Sequence, residues 1–282
     1  MYCPICDKKL ITDYCSNCGF DSTSCVELYP TFFFPAARSS IVKYRREWEM
    51  TLPSSPITSG TAPLSITWKA DDSGCLTIYG DGEIPDRFCS YLGDLKSKVR
   101  TLQFADRITH IGNYAFEGFS LLTDVKIPDS AVSIGSWAFS GCESLVTISI
   151  SEQVRNIGEW AFNGCKSLAR ISIPHGITSI KRGTFSDCRN LTCAVIPKSV
   201  ICIEDYAFSS CSSLTSITIP ESVVQIGWFA FTGCYKLKEI NYGGSERTWN
   251  ENSFYNCFEN KVLIHCEKAA RSHSYMSYNR FL

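Results

Sequence analysis

Four cysteines near the start of the chain have the spacing of a metal site. They form two CxxC pairs, Cys3 with Cys6 and Cys15 with Cys18, separated by eight residues. Two such pairs can place four thiolates tetrahedrally around one zinc ion. Gly19 suits the tight turn after the second pair. Four protein ligands leave no open coordination position, so the predicted zinc is structural, with two disulfides or a redox pair as the alternatives.

The segment around these cysteines, residues 1–25, resembles the short zinc-ribbon modules found at the N-termini of many bacterial proteins. So few residues bury little surface, and we expect metal binding to supply most of the folding free energy. Residues 26–63 are interpreted as a linker, because 51–63 is rich in proline, serine and threonine. Within it, 41–50 could form one short charged helix.

Catalytic chemistry finds little support elsewhere in the sequence. No GxSxG, P-loop or GxGxxG pattern is present. The chain has 27 basic and 28 acidic residues, which argues against a protein built to coat nucleic acid. The four histidines share no repeat position and nominate no site: His110, His175, His265 and His273. We therefore predict that the protein is not an enzyme.

A sequence phrase returns every 23 residues between about residue 99 and residue 240. A period in the twenties is typical of a solenoid, in which each unit buries its apolar face by stacking on its neighbours. One leucine opens each copy: Leu122, Leu145, Leu168, Leu191, Leu214 and Leu237. A phenylalanine recurs in another position: Phe116, Phe139, Phe162, Phe185, Phe208, Phe231 and Phe254.

One copy, residues 214–236, shows how a repeat is built. Ile217 and Ile219 alternate with a polar residue, as in a strand with one buried face. Pro220 ends that strand because proline cannot donate to a continuing ladder. A second short extended segment ends at Ile226, and a helical or irregular turn closes the copy. Each copy therefore predicts two short strands and a turn.

Six more cysteines share one repeat position, which predicts a buried row of reduced thiols. Neighbouring rungs lie about 4.8 Å apart, so distance alone would allow disulfides. Six equivalent thiols nevertheless give every residue two competing partners, which makes them a poor disulfide framework. The row comprises Cys142, Cys165, Cys188, Cys211, Cys234 and Cys257. Such a pattern fits a reducing compartment or an anaerobic niche.

The repeat, L-x-x-I-x-I-P-x-x-V-x-x-I-G-x-x-A-F-x-G-C-x-x, resembles that of the BspA-like leucine-rich repeat family. Residues 122–144, 145–167 and 214–236 match it closely. Two copies depart from it, with Lys181 and Glu204 where the family has glycine. The resemblance implies a mainly β fold with short helical turns, a leucine-rich-repeat solenoid preceded here by the small zinc ribbon. It also implies an N-terminal cap over 64–98, repeats over 99–240 and a C-terminal cap over 241–282.

In a solenoid the outward strand positions are free to bind a partner, because the inward ones form the core. Here these positions carry mostly short hydroxylated side chains, which could dock a protein or hydrogen-bond a glycan. Threonine and serine are also simply good solvent-facing strand residues. The candidate binding residues are Thr123, Asp124, Lys126, Thr147, Ser149, Arg170, Ser172, Ser216 and Thr218.

A row of aromatic side chains just before the Ala-Phe pair is a second candidate surface. Exposed, it would form an amphipathic strip of the kind found at hot spots and sugar platforms. Packed against the neighbouring rung, it would belong to the core, and the resemblance favours packing. Its candidate binding members are Trp137, Trp160 and Tyr206, with a break at Gly183.

These observations favour a non-enzymatic protein–protein interaction scaffold. The family resemblance implies adhesion, with binding to host or matrix proteins. The alternative is a nucleic-acid or regulatory adaptor acting through the zinc ribbon. No stretch approaches the roughly 20 apolar residues of a membrane span, and the N-terminus lacks an apolar signal region. We therefore expect a cytoplasmic protein, with the cell surface as the family-based alternative.

Overall fold

Successive 23-residue repeats stack as rungs of a solenoid in the computed structural model of the chain. The described residues are 59–61, 66–105, 107–251, 257–258, 262–267 and 276–277. The chain divides into two compact units, 1–54 and 55–282, and every described residue belongs to the second. The predicted zinc ligands and the predicted helix over 41–50 lie outside the described residues.

The first strand of each rung belongs to one row of strands, called row A here. Neighbours in row A pair in parallel, except at the two ends, where β1–β2, β2–β3 and β18–β19 are antiparallel. The strands are β1 (Ser59–Thr61), β2 (Thr67–Ala70), β3 (Cys75–Tyr79), β5 (Thr101–Phe104), β7 (Asp124–Lys126), β9 (Thr147–Ser149), β11 (Arg170–Ser172), β13 (Cys193–Val195), β15 (Ser216–Ile219), β17 (Glu239–Tyr242), β18 (Leu263–Cys266) and β19 (Met276–Ser277).

The second strand of each rung belongs to row B, where all neighbours pair in parallel. Its strands are β4 (Gly82–Ile84), β6 (Ile108–Ile111), β8 (Ser133–Ile134), β10 (Asn156–Ile157), β12 (Ser179–Ile180), β14 (Cys202–Ile203) and β16 (Gln225–Ile226). Both rows consist of two hydrogen-bonded sheets. Row A is interrupted between β9 and β11, and row B between β10 and β12.

A turn closes each rung after the row B strand, and these turns stack into a third column. We call it the turn column, and its members are residues 114–119, 137–142, 160–165, 183–188, 206–211 and 229–234. At each boundary three backbone N–H groups of one turn donate to carbonyls of the next rung, as Trp137 to Glu159, Phe139 to Ala161 and Gly141 to Asn163 over 2.7–2.9 Å. The turns are therefore bonded to each other independently of the strands.

The core consists of ladders of like residues between the two rows and the turn column. The phenylalanine rings from Phe116 to Phe231 stack face to face with centroids 5.3–5.7 Å apart, and each is at most 2% exposed. Burial of one such side chain contributes about 1.5–3 kcal/mol. The ladder is thus a large share of what holds neighbouring rungs together.

Strand β1 corrects the predicted extent of the linker. Ser59 pairs with Lys69 and Thr61 with Thr67, so the last part of the predicted linker over 26–63 is an edge strand of the cap. This strand extends the sheet beyond β2 and so shields the start of row A. Nothing in the proline- and serine-rich composition of 51–63 indicated it.

The last rung corrects the predicted position of Cys257. The backbone N–H of Phe231 donates to the carbonyl of Cys257 over 2.9 Å, as that of Phe208 donates to Ala230. Cys257 therefore takes the alanine position and not the cysteine position. The ring that stacks on Phe231 is Phe258, at 5.2 Å. Helix α1 (Glu246–Glu251) precedes this turn, and the ring stacked on Phe231 lies 27 and not 23 positions along the chain. Phe254 lies outside the described residues.

Candidate binding surface

The outward side chains of row A form columns within each of its two sheets, because each strand there is paired in register with the next. Asp124 pairs with Thr147, and Lys126 with Ser149. Further along, Ser216 pairs with Glu239. Strands β7, β11 and β13 bury their middle side chain and expose the other two, whereas the middle side chain of β9 is half-buried. The columns that sequence periodicity predicted therefore exist on both sheets of row A.

Most of the predicted face residues are exposed in the structure. Thr123 and Ser216 are half-buried. Thr123 also donates its hydroxyl to the Arg100 carbonyl over 3.1 Å, so it serves the rung contact as well as the surface. The exposed members are Asp124, Lys126, Thr147, Ser149, Arg170, Ser172 and Thr218. The prediction that these positions point outward is confirmed, whereas their binding role stays a prediction.

Charge is sparse in the middle of this face. From β9 to β15 the outer positions carry a single charged side chain, that of Arg170. Charges of both signs occur only on the flanking strands, with Asp124 and Lys126 on β7, and Glu239 on β17 next to Lys238. The centre is therefore a neutral, hydroxyl-rich surface with one guanidinium group in it.

The face includes two side chains that sequence reasoning missed. Cys193 is exposed and pairs with Arg170, and Val195 is 56% exposed and pairs with Ser172. Both fall in the outward repeat positions, so the 23-residue period alone identifies them. They were passed over because cysteine and valine are residue types expected in a core. Val146, which is 47% exposed, adds a second aliphatic group on the rung before that of Arg170.

The aromatic row belongs to the turn column and not to a surface strip. Its rings stack with centroids 5.3–6.4 Å apart, and Trp137 is only 5% exposed. Trp160 and Tyr206 are half-buried, each between rings of neighbouring rungs. Of the two alternatives for Trp137, Trp160 and Tyr206, packing against neighbouring rungs is therefore the one that the structure has, and a binding role for them stays a prediction. Because the ring faces pack against neighbouring rings, they are not available to a ligand.

Every member of this row has a left-handed backbone. The φ angles of Tyr114, Trp137, Trp160, Tyr206 and Phe229 lie between 56° and 59°, where bulky residues are rare. This conformation accompanies a bond to the following rung, because the backbone N–H groups of Tyr114, Trp137, Trp160 and Tyr206 each donate across to it. Stacking of the rings helps to offset the backbone cost.

Gly183 explains why the aromatic row continues past its missing member. A Cβ atom at Gly183 would collide with the Trp160 indole, which lies over the glycine. The Trp160 ring thereby reaches Tyr206, two rungs on, with centroids 6.4 Å apart. At the other end the Arg87 guanidinium lies 5.2 Å from the Tyr114 ring centroid. The stack thus starts with a cation over an aromatic face.

The row of buried thiols is reduced in the described structure, as predicted. Each thiol donates to the carbonyl of the phenylalanine 26 positions earlier, as from Cys165 to Phe139 over 3.3 Å and from Cys234 to Phe208 over 3.1 Å. The same contact is made by Cys142, Cys188 and Cys211. Desolvation by burial is the main reason that the pKa of Cys142, Cys165, Cys188 and Cys211 is raised above its ordinary value. These thiols stay neutral and serve packing.

Within the described part of the chain, no three His, Cys, Asp or Glu side chains are grouped so as to hold a metal ion. The predicted zinc ligands Cys3, Cys6, Cys15 and Cys18 are not among the residues searched. In the same part of the chain, no helix has both the length and the apolar character needed to cross a bilayer.

Parallel rungs, two strand rows and a closing turn of fixed length define the chain as a leucine-rich-repeat solenoid. A model of the BspA type leucine rich repeat region matches residues 95–214 and 178–280 with six copies. The chain belongs to this family. No curated protein matches the sequence.

One solved structure supports the leucine-rich-repeat fold. A leucine rich cell surface protein from Faecalibacterium prausnitzii A2-165 is 31% identical over 67% of this chain and 55% of its own, with a TM-score of 0.54. The chain thus spans little more than half of that protein. A T. pallidum leucine rich repeat protein, TpLRR, is 24% identical over 77% of this chain and 82% of its own, with a TM-score of 0.40. Together the family and the cell surface relative support a protein-interaction scaffold.

Proposed function

We propose that the protein is a non-enzymatic scaffold that docks a partner protein on the outer face of row A. The observation that carries the proposal is the set of outward-facing columns, which are in register from β7 to β9 and again from β11 to β17. A flat surface of this kind suits a protein partner better than a small molecule, which would need a concave pocket. The family supports the same assignment.

The chemistry of the face limits the kind of partner. Its centre offers hydroxyl groups on Thr147, Ser149, Ser172 and Thr218, and one cation on Arg170. Such a surface is complementary to a largely uncharged partner surface that presents one carboxylate opposite the guanidinium group. A partner of strong net charge would gain little from it.

Adhesion is the more specific version of this function. The BspA-type resemblance implies binding to host or extracellular matrix proteins, and one relative is described as a cell surface protein. In this version the partner is a matrix protein, and the protein acts outside the cell. A glycan carried by the same partner would also find hydroxyl groups to bond on the face.

Binding of the full-length chain to a panel of purified matrix proteins, measured by biolayer interferometry, tests the proposal. The double substitution Ser149→Arg/Ser172→Arg places two cations on the face, and we expect it to reduce binding about tenfold or more. The matched control Asn156→Arg/Thr178→Arg adds the same charge on the same two rungs, at exposed positions at row B. It should leave binding within about twofold.

The possible negative results reject different parts of the proposal. Absence of binding to every matrix protein would reject the adhesion version. Binding that the row B control abolishes and the row A variant spares would reject row A as the docking face. Circular dichroism of each variant must match the parent chain, because a misfolded variant would lose binding for an unrelated reason.

A further inference from the structure

The solenoid has one boundary where the strands of neighbouring rungs do not pair. Among the described rungs, both rows continue across every other boundary from β5 to β16, yet both stop between rung 145–167 and rung 168–190. Elsewhere in row B a backbone N–H donates to the carbonyl 23 residues earlier, as Arg155 to Val132 over 2.9 Å and Ile201 to Thr178 over 2.8 Å. Across this boundary the strands make no such pairing. We call the boundary the seam.

Lys181 accounts for the seam. It stands where most rungs have glycine, and that glycine is in close contact with the preceding rung. A Cβ atom on Gly135 would lie 2.6 Å from the Asn113 backbone nitrogen, and one on Gly112 would lie 2.6 Å from that of Asp86. A side chain at this position therefore forces the rung away from its predecessor. Lys181 carries such a side chain, and the boundary it faces is the one that parts.

Glu204 shows that a side chain in this position need not open the boundary. Its carboxylate accepts the backbone N–H of Arg182 over 3.0 Å and the Ser179 hydroxyl over 2.8 Å. β12 and β14 stay paired in register beside it. The Glu204 carboxylate thus bonds its rung to the preceding one by accepting two hydrogen bonds. The Lys181 ammonium group can only donate, so it cannot form the same bonds.

A second rung-to-rung bond is also missing at the seam. At three other boundaries a serine hydroxyl donates to the preceding rung, as Ser199 to Ile177 and Ser222 to Val200, each over 2.7 Å. The paired boundary between β8 and β10 has Gln153 at this position. At the seam this position is Gly176, which has no hydroxyl. Arg155 fills the space, and its Nη1 donates to the Val154 carbonyl of its own rung over 3.3 Å. This bond holds no strand of the next rung.

The turn column, by contrast, crosses the seam without change. Trp160 donates to Arg182 and Phe162 to Thr184, each over 2.9 Å, and the Phe162 and Phe185 rings stack at 5.6 Å. On the strand side Ile148 is only partly buried, whereas its counterpart Ile171 is 3% exposed. The turn-column edge of the boundary is therefore bonded as elsewhere. On the other edge the strands do not pair, and the Glu152 carboxylate bridges the two rungs by accepting the His175 backbone N–H over 2.9 Å.

We infer that the seam is a hinge, about which the rungs up to residue 167 and the rungs from residue 168 rotate as two rigid blocks. The hydrogen-bonded turn column is the pivot, and the gap between β9 and β11 opens and closes. The motion changes the distance between Ser149 and Ser172, and so the curvature of the outer face of row A. Lys181 is the residue that sets the seam apart, because the boundary at Gln153 stays paired without the serine bond.

Hydrogen exchange of the full-length chain tests the unpaired strand side. Amides of residues 169–172 and 178–181 should exchange at least about tenfold faster than those of 201–204, which face a paired boundary. Lys181→Gly should slow the seam amides about tenfold, because the rung can then approach its predecessor. The matched control Glu204→Gly, the same change one rung later, should leave the seam amides as they are. Equal exchange at the two boundaries of the parent chain would refute the seam.

Pulsed electron paramagnetic resonance tests the rotation itself. Nitroxide-bearing noncanonical residues at Lys126 and Val195 span three boundaries that include the seam, and a pair at Ser172 and Asn241 spans three that do not. We expect a broader distance distribution for the first pair, narrowed by Lys181→Gly. Equally narrow distributions in the parent chain would overturn the hinge, even if exchange is fast. Neither measurement involves a binding partner, so the hinge stands or falls independently of the proposed function.

Discussion

The turn column and the outer face of row A belong to the same rungs but accept different side chains. In the turn column each position has one backbone conformation and one set of neighbours, from the left-handed φ of Trp137 to the thiol of Cys165 bonded to Phe139. On row A the outward positions vary from Asp124 through Thr147 to Val195. Contact with the next rung restricts the first region, whereas solvent leaves the second free. Variation that could choose a partner is therefore confined to one side of each rung.

The largest expected difference between the two regions is in how their side chains affect the unfolding free energy at alkaline pH. Burial raises the pKa of four turn-column thiols in the folded chain above the ordinary value of 9.0, namely Cys142, Cys165, Cys188 and Cys211. Their contribution to stability is therefore complete below pH 9 and is lost as the pH rises, because the unfolded chain releases the protons first. At pH about 10, we expect each of these thiols to lower the unfolding free energy by more than about 1 kcal/mol, and the four together by about 5 kcal/mol.

Urea unfolding followed between pH about 7 and 10 measures this loss. A variant with Cys165→Ala and Cys188→Ala should show a shallower decline above pH 9, since two of the titrating groups are gone. The exposed Cys193 on row A provides the control, and Cys193→Ala should leave the pH dependence unchanged. An unfolding free energy that stays constant up to pH 10 would contradict buried neutral thiols.

The next largest effect is expected from the phenylalanine ladder. Phe162→Ala removes a ring that is fully buried between Phe139 and Phe185, and we expect a loss of about 3–5 kcal/mol of unfolding free energy. Thr147→Ala, on the exposed face of the same rung, should change it by less than about 0.5 kcal/mol. Comparable urea midpoints for the two variants would show that the buried ring contributes no more to stability than a side chain on the outer face of row A.

Gly158→Ala should give a third, smaller loss and a new structural defect. The added methyl group would press against the backbone of Ser136 and Gly135, which we expect to cost about 1–3 kcal/mol. We also expect it to break the pairing between β8 and β10, as Lys181 does at the next boundary. Hydrogen exchange of residues 155–158 measures this, and unchanged protection there would show that Lys181 is not sufficient to open the seam.

Cys165→Ala should produce the smallest loss in the turn column. The thiol fills a closed space and donates to the Phe139 carbonyl over 3.3 Å, so we expect a loss of about 1–2 kcal/mol. Calorimetry against Cys193→Ala, which removes an exposed thiol, isolates the effect of burial. A variant as stable as the parent would mean that the repeated thiol contributes nothing to packing.

Periodicity was sufficient to predict the rungs, their strands and the outward columns, because each follows from one local pattern. It failed at Cys257, since the residue matches the 23-residue phase although helix α1 shifts the last turn. At Val195 the period gives the outward position correctly, although the residue type suggests burial. The effect of Lys181 depends on a clearance between two backbones, and no single repeat displays that clearance. The zinc ligands remain a prediction from spacing.

The buried cysteine of each repeat allows unfolding of the solenoid to be followed rung by rung. Five consecutive rungs each hide one sulfur atom, at Cys142, Cys165, Cys188, Cys211 and Cys234, and a hidden sulfur reacts with an alkylating reagent only after its rung has opened. During unfolding, the number of labels on these five thiols, read by peptide mapping apart from exposed thiols such as Cys193, therefore counts the rungs that have come apart. Intermediate counts would mean that the solenoid unravels from one end or from the seam, and their absence would mean that it breaks at once.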